Sequence, residues 1–126
     1  MYRKLENLAT VDISRPRKEE VIQQEMEAVV DQSCHQPVII TFLSEWLGAS
    51  QLLESFMEDL EDEYETQRIS FRAIQADHVP QFLSNYYGII NLPATLVVVN
   101  GEIVDYFKGI LSKNRIRKRL DAVINS

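Results

Sequence analysis

The sequence feature that most constrains the fold is a nearly unbroken apolar run, Val38–Leu43, which is rich in β-branched residues. A strand with one wet face alternates apolar and polar residues, whereas a continuous apolar run is typical of a strand that is covered on both faces. Covering both faces of a sheet requires helices on both sides. The run therefore predicts an α/β domain.

Periodicity predicts the remaining elements. Apolar residues spaced by three and four predict four helices: Lys18–Ser33, residues 53–64, Pro80–Tyr87, and a last helix that Ser112 caps. Alternation and β-branched runs predict four further strands: an edge strand over residues 8–13, then residues 69–74, Ala94–Val99 and residues 103–107. Residues 44–50 are predicted to form a loop. The predicted order is βαβαβαββα, a mixed central sheet in one domain over residues 1–126.

The dipeptide Asn100-Gly101 lies between the last two predicted strands. Asn-Gly is the strongest short signal for a tight hairpin, because both turn positions need positive φ. The last two strands are therefore predicted to be antiparallel. Helix-length crossovers between the early strands predict parallel pairing there.

Composition excludes several classes of protein. The chain has 126 residues, a net charge of −6 and one cysteine, Cys34. A single cysteine cannot form an intrachain disulfide, and with His35 and His78 alone beside it we expect no metal site. The acidic balance argues against nucleic-acid binding. No apolar run approaches the length of a membrane-spanning helix, so we expect no membrane association and a cytoplasmic location.

Charge is unevenly distributed along the chain. Residues 19–65 contain 13 acidic residues and no lysine or arginine, whereas residues 66–126 contain 8 basic and 4 acidic residues. This pattern predicts a strong charge dipole, which would steer a basic partner segment toward the acidic half.

Three segments together resemble the thioredoxin family: residues 37–46, residues 86–96 and residues 100–104. The resemblance extends over residues 36–126 and is weaker over residues 1–35. It implies a thioredoxin-like fold. Residues 93–96 also look similar to thioredoxin-like accessory proteins of hydrogenase maturation, which act as chaperones for a cofactor-bearing subunit.

The same comparison shows that the residues which carry out the family's redox chemistry are replaced here. Thioredoxins carry Trp-Cys-Gly-Pro-Cys, in which one thiolate attacks a disulfide and the second resolves the mixed intermediate. Leu47 and Ser50 occupy the two cysteine positions here, and Thr41 and Ala73 replace the family's buried carboxylate and its lysine partner. We therefore expect a redox-inactive protein that is not an enzyme and needs no cofactor.

The family's recognition surface is retained. Leu92-Pro93 matches the cis-proline step at which thioredoxins pair with an extended substrate segment. By resemblance, this surface holds a client segment as a binding or chaperone module, and its residues are Trp46, Leu47, Gly48, Ala49, Ser50, Leu92, Pro93 and Gly109.

Two alternatives remain open at this point. In the first, Cys34 works with an external thiol such as glutathione, and the protein is an oxidoreductase. In the second, the protein is a structural homodimer with Leu47 and Trp46 in its interface, because exposed apolar patches are typical of protein–protein contacts.

Overall fold

The computed structural model describes residues 18–77 and 80–125, and the strand predicted over residues 8–13 lies outside them. The described elements, in chain order, are α1 (Lys18–Ser33), β1 (Val38–Leu43), α2 (Gly48–Glu63), β2 (Ser70–Gln75), α3 (Pro80–Tyr87), β3 (Ala94–Val99), β4 (Glu102–Lys108) and α4 (Lys113–Ile124). The strands form one sheet in the order β2-β1-β3-β4. The predicted mixed sheet of an α/β domain is confirmed.

Strand pairing agrees with the sequence signals except at the crossover through α3, where the expected parallel direction is wrong. β1 and β2 are parallel, and β3 and β4 are antiparallel. Asn100 and Gly101 adopt the positive φ values, 51° and 78°, that the hairpin requires. The crossover through α3 differs from the earlier one, because it returns the chain to the other side of β1 and leaves β3 antiparallel to β1.

Both faces of the sheet are covered, as the run in β1 predicted. Side chains alternate along a strand, so Ile40 and Phe42 face α1 and α3, whereas Ile39 faces α2 and α4. All six residues of β1 are buried. β1 is thus the strand on which the two apolar cores meet.

Helix α2 begins earlier than the sequence predicted. Residues 48–50 are helical, not part of a loop, since the amides of Ser50 and Gln51 donate to the Leu47 carbonyl oxygen at 3.1 and 3.4 Å. The prediction failed because Gly48 and Ala49 give no apolar periodicity. The predicted cap of the last helix is confirmed, since the amide of Arg115 donates to Ser112 Oγ at 3.3 Å.

The acidic and basic halves of the sequence are partly joined in space. The Nζ atom of Lys113 lies 3.0 Å from Asp59 Oδ2, and Arg117 donates to both carboxylate oxygens of Glu63 at 2.6 and 2.8 Å. The hydrogen bond from Arg117 holds the pKa of the Glu63 carboxyl below its usual value. The predicted dipole is therefore weaker than the sequence suggests, because α4 places basic groups against the acidic helix.

Tyr64 follows α2 and joins it to α4. Its hydroxyl donates to Asp121 Oδ1 at 2.7 Å, and the side chain is 7% exposed. Burial, together with the hydrogen bond to Asp121, raises the pKa of Tyr64 to about 12. The phenolate is thus disfavoured in the folded protein.

Tyr64 should make folding stability depend on alkaline pH. The unfolded chain releases this proton near its ordinary pKa of 10.0, whereas the folded protein keeps it until about 12. The contribution is therefore complete below pH 10 and is lost as the pH rises toward 12, on the order of 2 kcal/mol in all. Urea unfolding from pH 9 to 11.5 measures this, with Tyr64→Phe as the reference. Parallel profiles for the two proteins would contradict the assignment.

Candidate functional site

Four connecting segments meet at one end of the sheet. Strand register places Phe42 opposite Ala94, Leu43 opposite Gln75, and Ala94 opposite Lys108. The segments that follow β1, β2 and β4 therefore lie beside the segment that precedes β3. The amide of Gly109 donates to the Pro93 carbonyl oxygen at 2.7 Å, which fixes two of these segments directly.

The eight residues that the sequence analysis identified differ in their accessibility in the structure. Trp46 and Leu47 are exposed, at 76% and 42%, and Gly48 is also exposed. Ala49, Leu92 and Gly109 are partly buried, whereas Ser50 and Pro93 are buried. Ser50 therefore does not contribute to an accessible surface.

Two apolar residues that the sequence analysis missed adjoin these segments. Ile90 is 77% exposed and precedes Leu92 by two residues, and Ile110 is 36% exposed and follows Gly109. Their positions next to motif residues were the available signal. We call the set Trp46, Leu47, Ile90, Leu92 and Ile110 the apolar face.

Leu92 has a backbone that is open to a partner. The Leu92–Pro93 peptide bond is cis. Within residues 18–77 and 80–125, neither the N–H nor the C=O of Leu92 has a hydrogen-bond partner. Because β3 begins only at Ala94, Leu92 lies outside the sheet ladder. An extended chain can use these two groups.

A hydrogen-bond network fixes the loop that carries Trp46. The amide of Ser44 donates to Ser50 Oγ at 2.9 Å, and the Ser44 hydroxyl donates to Asp77 Oδ1. The amide of Glu45 donates to Asp77 Oδ2 at 3.0 Å, and the amide of Trp46 donates to Ser44 Oγ at 3.3 Å. The role of Ser50 is therefore to position this loop.

Asp77 is the positioning residue that sequence reasoning missed. Ser44 comes directly after β1, and Asp77 comes two residues after β2. Because β1 and β2 are parallel neighbours, their carboxyl ends share one edge of the sheet, and polar residues placed there can meet. That pairing was the signal available in the sequence.

Leu47 occupies an unfavourable position at the start of α2. It is the N-cap residue, with φ −109° and ψ 125°, and its side chain offers no hydrogen bond to the helix. Leucine in place of serine, threonine or aspartate at this position costs about 1 kcal/mol. The local structure is therefore less stable than a polar cap would make it.

The other candidate residues lie elsewhere. Cys34 is exposed and precedes β1, whereas Trp46 follows it, so the length of a six-residue strand, about 20 Å, lies between their positions. His78 is outside the described residues. Within residues 18–77 and 80–125 there is no cluster of three or more His, Cys, Asp or Glu side chains suited to a metal ion. None of the described helices is both long and apolar enough to cross a lipid bilayer.

The fold and the position of the cis-proline segment define the class of protein, an α/β protein of thioredoxin fold. A thioredoxin from Trypanosoma brucei brucei has the same fold, with a TM-score of 0.67 and 20% sequence identity over 83% of this chain and 87% of that one. A model of the Thioredoxin family matches residues 17–122. The chain belongs to the thioredoxin family.

Relatives of known sequence agree with this assignment. A thioredoxin from Chlorobaculum thiosulfatiphilum is 33% identical over 84 residues, which cover 67% of this chain and 76% of that protein. A thioredoxin from Griffithsia pacifica is 26% identical over 103 residues, covering 73% of this chain and 93% of that protein. The family resemblance seen in the sequence is confirmed.

The loop network gives a prediction that Trp46 itself reports. Trp46 is the sole tryptophan, so its fluorescence anisotropy measures the mobility of the loop. Asp77→Ala removes the acceptor of Ser44 and Glu45, and we expect lower anisotropy and a loss of about 1–3 kcal/mol of unfolding free energy. Asp62→Ala, at an exposed site on α2, serves as the control and should change neither. Unchanged anisotropy in Asp77→Ala would show that the network does not hold the loop.

Proposed function

We propose that this thioredoxin-family protein binds an extended segment of a partner protein on the apolar face and carries out no disulfide exchange. The observation that carries the proposal is the combination of exposed Trp46 and Leu47 with a Leu92 backbone that has no hydrogen-bond partner in the part of the chain that the structure describes. The proposed role is that of an accessory or chaperone module in the cytoplasm, without a cofactor.

The chemistry of the former catalytic segment supports a role without redox activity. Thiol–disulfide exchange proceeds through a mixed disulfide, which needs an attacking thiolate and a resolving thiol. Leu47 can supply neither, and the Ser50 hydroxyl is committed to the Ser44 amide. Cys34, the single cysteine of the chain, belongs to the opposite end of β1.

Binding of an extended segment is favoured by backbone and side chains together. The N–H and C=O of Leu92 can pair with a partner strand, as in β-augmentation, and such hydrogen bonds give affinity for any sequence. Trp46, Leu47 and Ile90 would add apolar contacts on either side of that strand, and these would select for apolar client side chains.

The position of Leu47 also supports a binding role. An exposed leucine at an N-cap lowers helix stability and presents apolar surface to water, so it contradicts two local rules of folding. Such local exceptions are expected at functional sites, where a contact made in the complex compensates for them. A partner that covers Leu47 would supply that contact.

Affinity capture from a native extract tests the proposal. The wild type is compared with Trp46→Ala/Leu92→Asp, and captured proteins are identified by mass spectrometry. We expect partners that the wild type retains and this variant loses, because it removes the aromatic contact and places a charge beside the free backbone.

The control for this capture is Ile103→Ala/Val104→Asp. These residues are 51% and 50% exposed on β4, near the hairpin at the other end of the sheet. The control should retain every partner. If both double variants keep the same partners as the wild type, the apolar face is not the binding site.

The redox half of the proposal has its own test. In an insulin reduction assay with dithiothreitol, we expect the same rate with and without the protein, since Leu47 and Ser50 cannot exchange disulfides. Cys34→Ser is the companion variant. Turnover that disappears in Cys34→Ser would replace the proposal with the thiol-dependent alternative, and turnover that persists would show that other groups do the chemistry.

A further inference from the structure

A small cavity lies between α2 and the strands β1 and β2. Its volume is about 150 Å³, on the order of the space that takes a benzene-sized group. Leu43, Met57, Phe71 and Ala73 give it apolar walls, and Thr41 also lines it. Such a cavity fits a short hydrocarbon chain.

Three carboxylates of α2 stand at this cavity. Glu54, Glu58 and Glu61 follow the spacing i, i+4, i+7, so they share one side of the helix. Within residues 18–77 and 80–125, none of the three forms an ion pair. Arg72 also lines the cavity, but its guanidinium is bound to Glu25 Oε1 at 2.9 Å and to Gln32 Oε1 at 3.1 Å.

The opposite flank of α2 is different. Asp59 and Glu63 are spaced by four residues as well, and both are bound by basic residues of α4. Among the described residues, basic side chains of α4 therefore pair with one acidic flank of α2 and none pairs with the other. The unpaired flank is complementary to a cation from outside.

Thr41 contributes a polar side chain to the lining of the cavity. It is only 2% exposed, and its side chain lies on the α2 side of β1, because Ile40 and Phe42 point to the other face. Among the described residues, the fully buried side-chain oxygen without a hydrogen-bond partner is Thr95 Oγ1, on the residue opposite Thr41 in the strand register. The Thr41 hydroxyl is not enclosed in that way, and Thr41 lines the cavity, so its oxygen can be reached by a ligand there.

We propose that the cavity takes a lysine side chain of the partner segment, which rests on the proposed function of the apolar face. The methylene groups of lysine suit the apolar walls, and its compact ammonium suits three carboxylates on one side better than a planar guanidinium does. The Thr41 hydroxyl can accept a hydrogen bond from the ammonium.

The distance along α2 gives the position of that lysine. Glu54 follows Leu47 by seven residues, which is about 10 Å along a helix. An extended chain covers the same distance in about three residues. A segment that lies over Leu47 should therefore place its lysine about three residues from the apolar side chain that contacts Leu47.

Selection from a phage-displayed library of random dodecapeptides tests this inference. Peptides selected by the wild type should combine apolar residues with a lysine at one fixed spacing. Selection on Glu54→Gln/Glu58→Gln should keep the apolar residues and lose the lysine. Asp62→Asn/Glu65→Gln removes the same charge from α2 and the turn after it, away from the cavity, and should keep the lysine.

A selected synthetic peptide then gives the affinity through Trp46 fluorescence. Replacing its lysine by norleucine keeps the hydrocarbon chain. We expect the norleucine peptide to bind the wild type roughly five- to tenfold more weakly than the lysine peptide does, and we expect Glu54→Gln/Glu58→Gln to bind the two peptides equally. Ala73→Leu fills the cavity from an exposed strand position and should weaken binding of the lysine peptide to the same extent. Gln75→Leu, on the same face of the strand but outside the cavity lining, is the control.

The outcomes separate the two proposals. Apolar peptides without lysine enrichment would overturn the lysine site and leave the proposed function standing, and enrichment of arginine would overturn the choice of lysine. Loss of the lysine on both acid-to-amide variants would show a general charge effect, and lysine enrichment on both would show that the cavity carboxylates do not bind it; either result overturns the site. If no peptide is selected, or Trp46→Ala/Leu92→Asp selects the same peptides, the proposed function fails first.

Discussion

The burial of β1 on both faces is the constraint on which the rest of this structure depends. A strand without a wet face must be sandwiched between helices, so α1 and α3 take one side and α2 and α4 the other. Two different strands must also flank it, and β2 and β3 do so in opposite directions. The end of β1 is therefore buried, and the loop that follows it is held by the hydrogen bonds of Ser44 and Glu45.

Most of the fold could be predicted because its signals are local and repetitive. The bounds of α1, β1, α3 and β3 agree with the pattern of apolar residues, and the Asn100-Gly101 hairpin follows from the φ values that only such residues adopt readily. The start of α2 could not be predicted in this way. Its first turn is defined by backbone hydrogen bonds to the Leu47 carbonyl, and Gly48 and Ala49 add no periodic signal.

The candidate site was predictable in part, for a related reason. Trp46, Leu47 and Leu92 were recognised because a family motif marks their positions. Asp77 was missed because its importance arises from the parallel pairing of β1 and β2, which brings it to Ser44 across 33 positions of sequence. The charge pattern overstated the separation of charge for the same reason: some acidic and basic groups that are distant in sequence meet where α4 packs beside α2.

The two acidic flanks of α2 differ in their electrostatics. Ion pairs at exposed positions contribute little individually, so the pairing of Asp59 and Glu63 with α4 mainly fixes which way these helices lie against each other. Glu54, Glu58 and Glu61, which form no ion pair with another described residue, do not help folding through one another, because like charges at i, i+4 spacing repel. A sequence under selection for stability alone would replace one of them with lysine or glutamine. Their position beside an apolar cavity, together with an uncapped leucine at the start of the same helix, concentrates the unfavourable features of α2 on the side that adjoins the apolar face. Such a concentration is consistent with the proposed binding role, since a partner that covered this side would compensate for each of these costs.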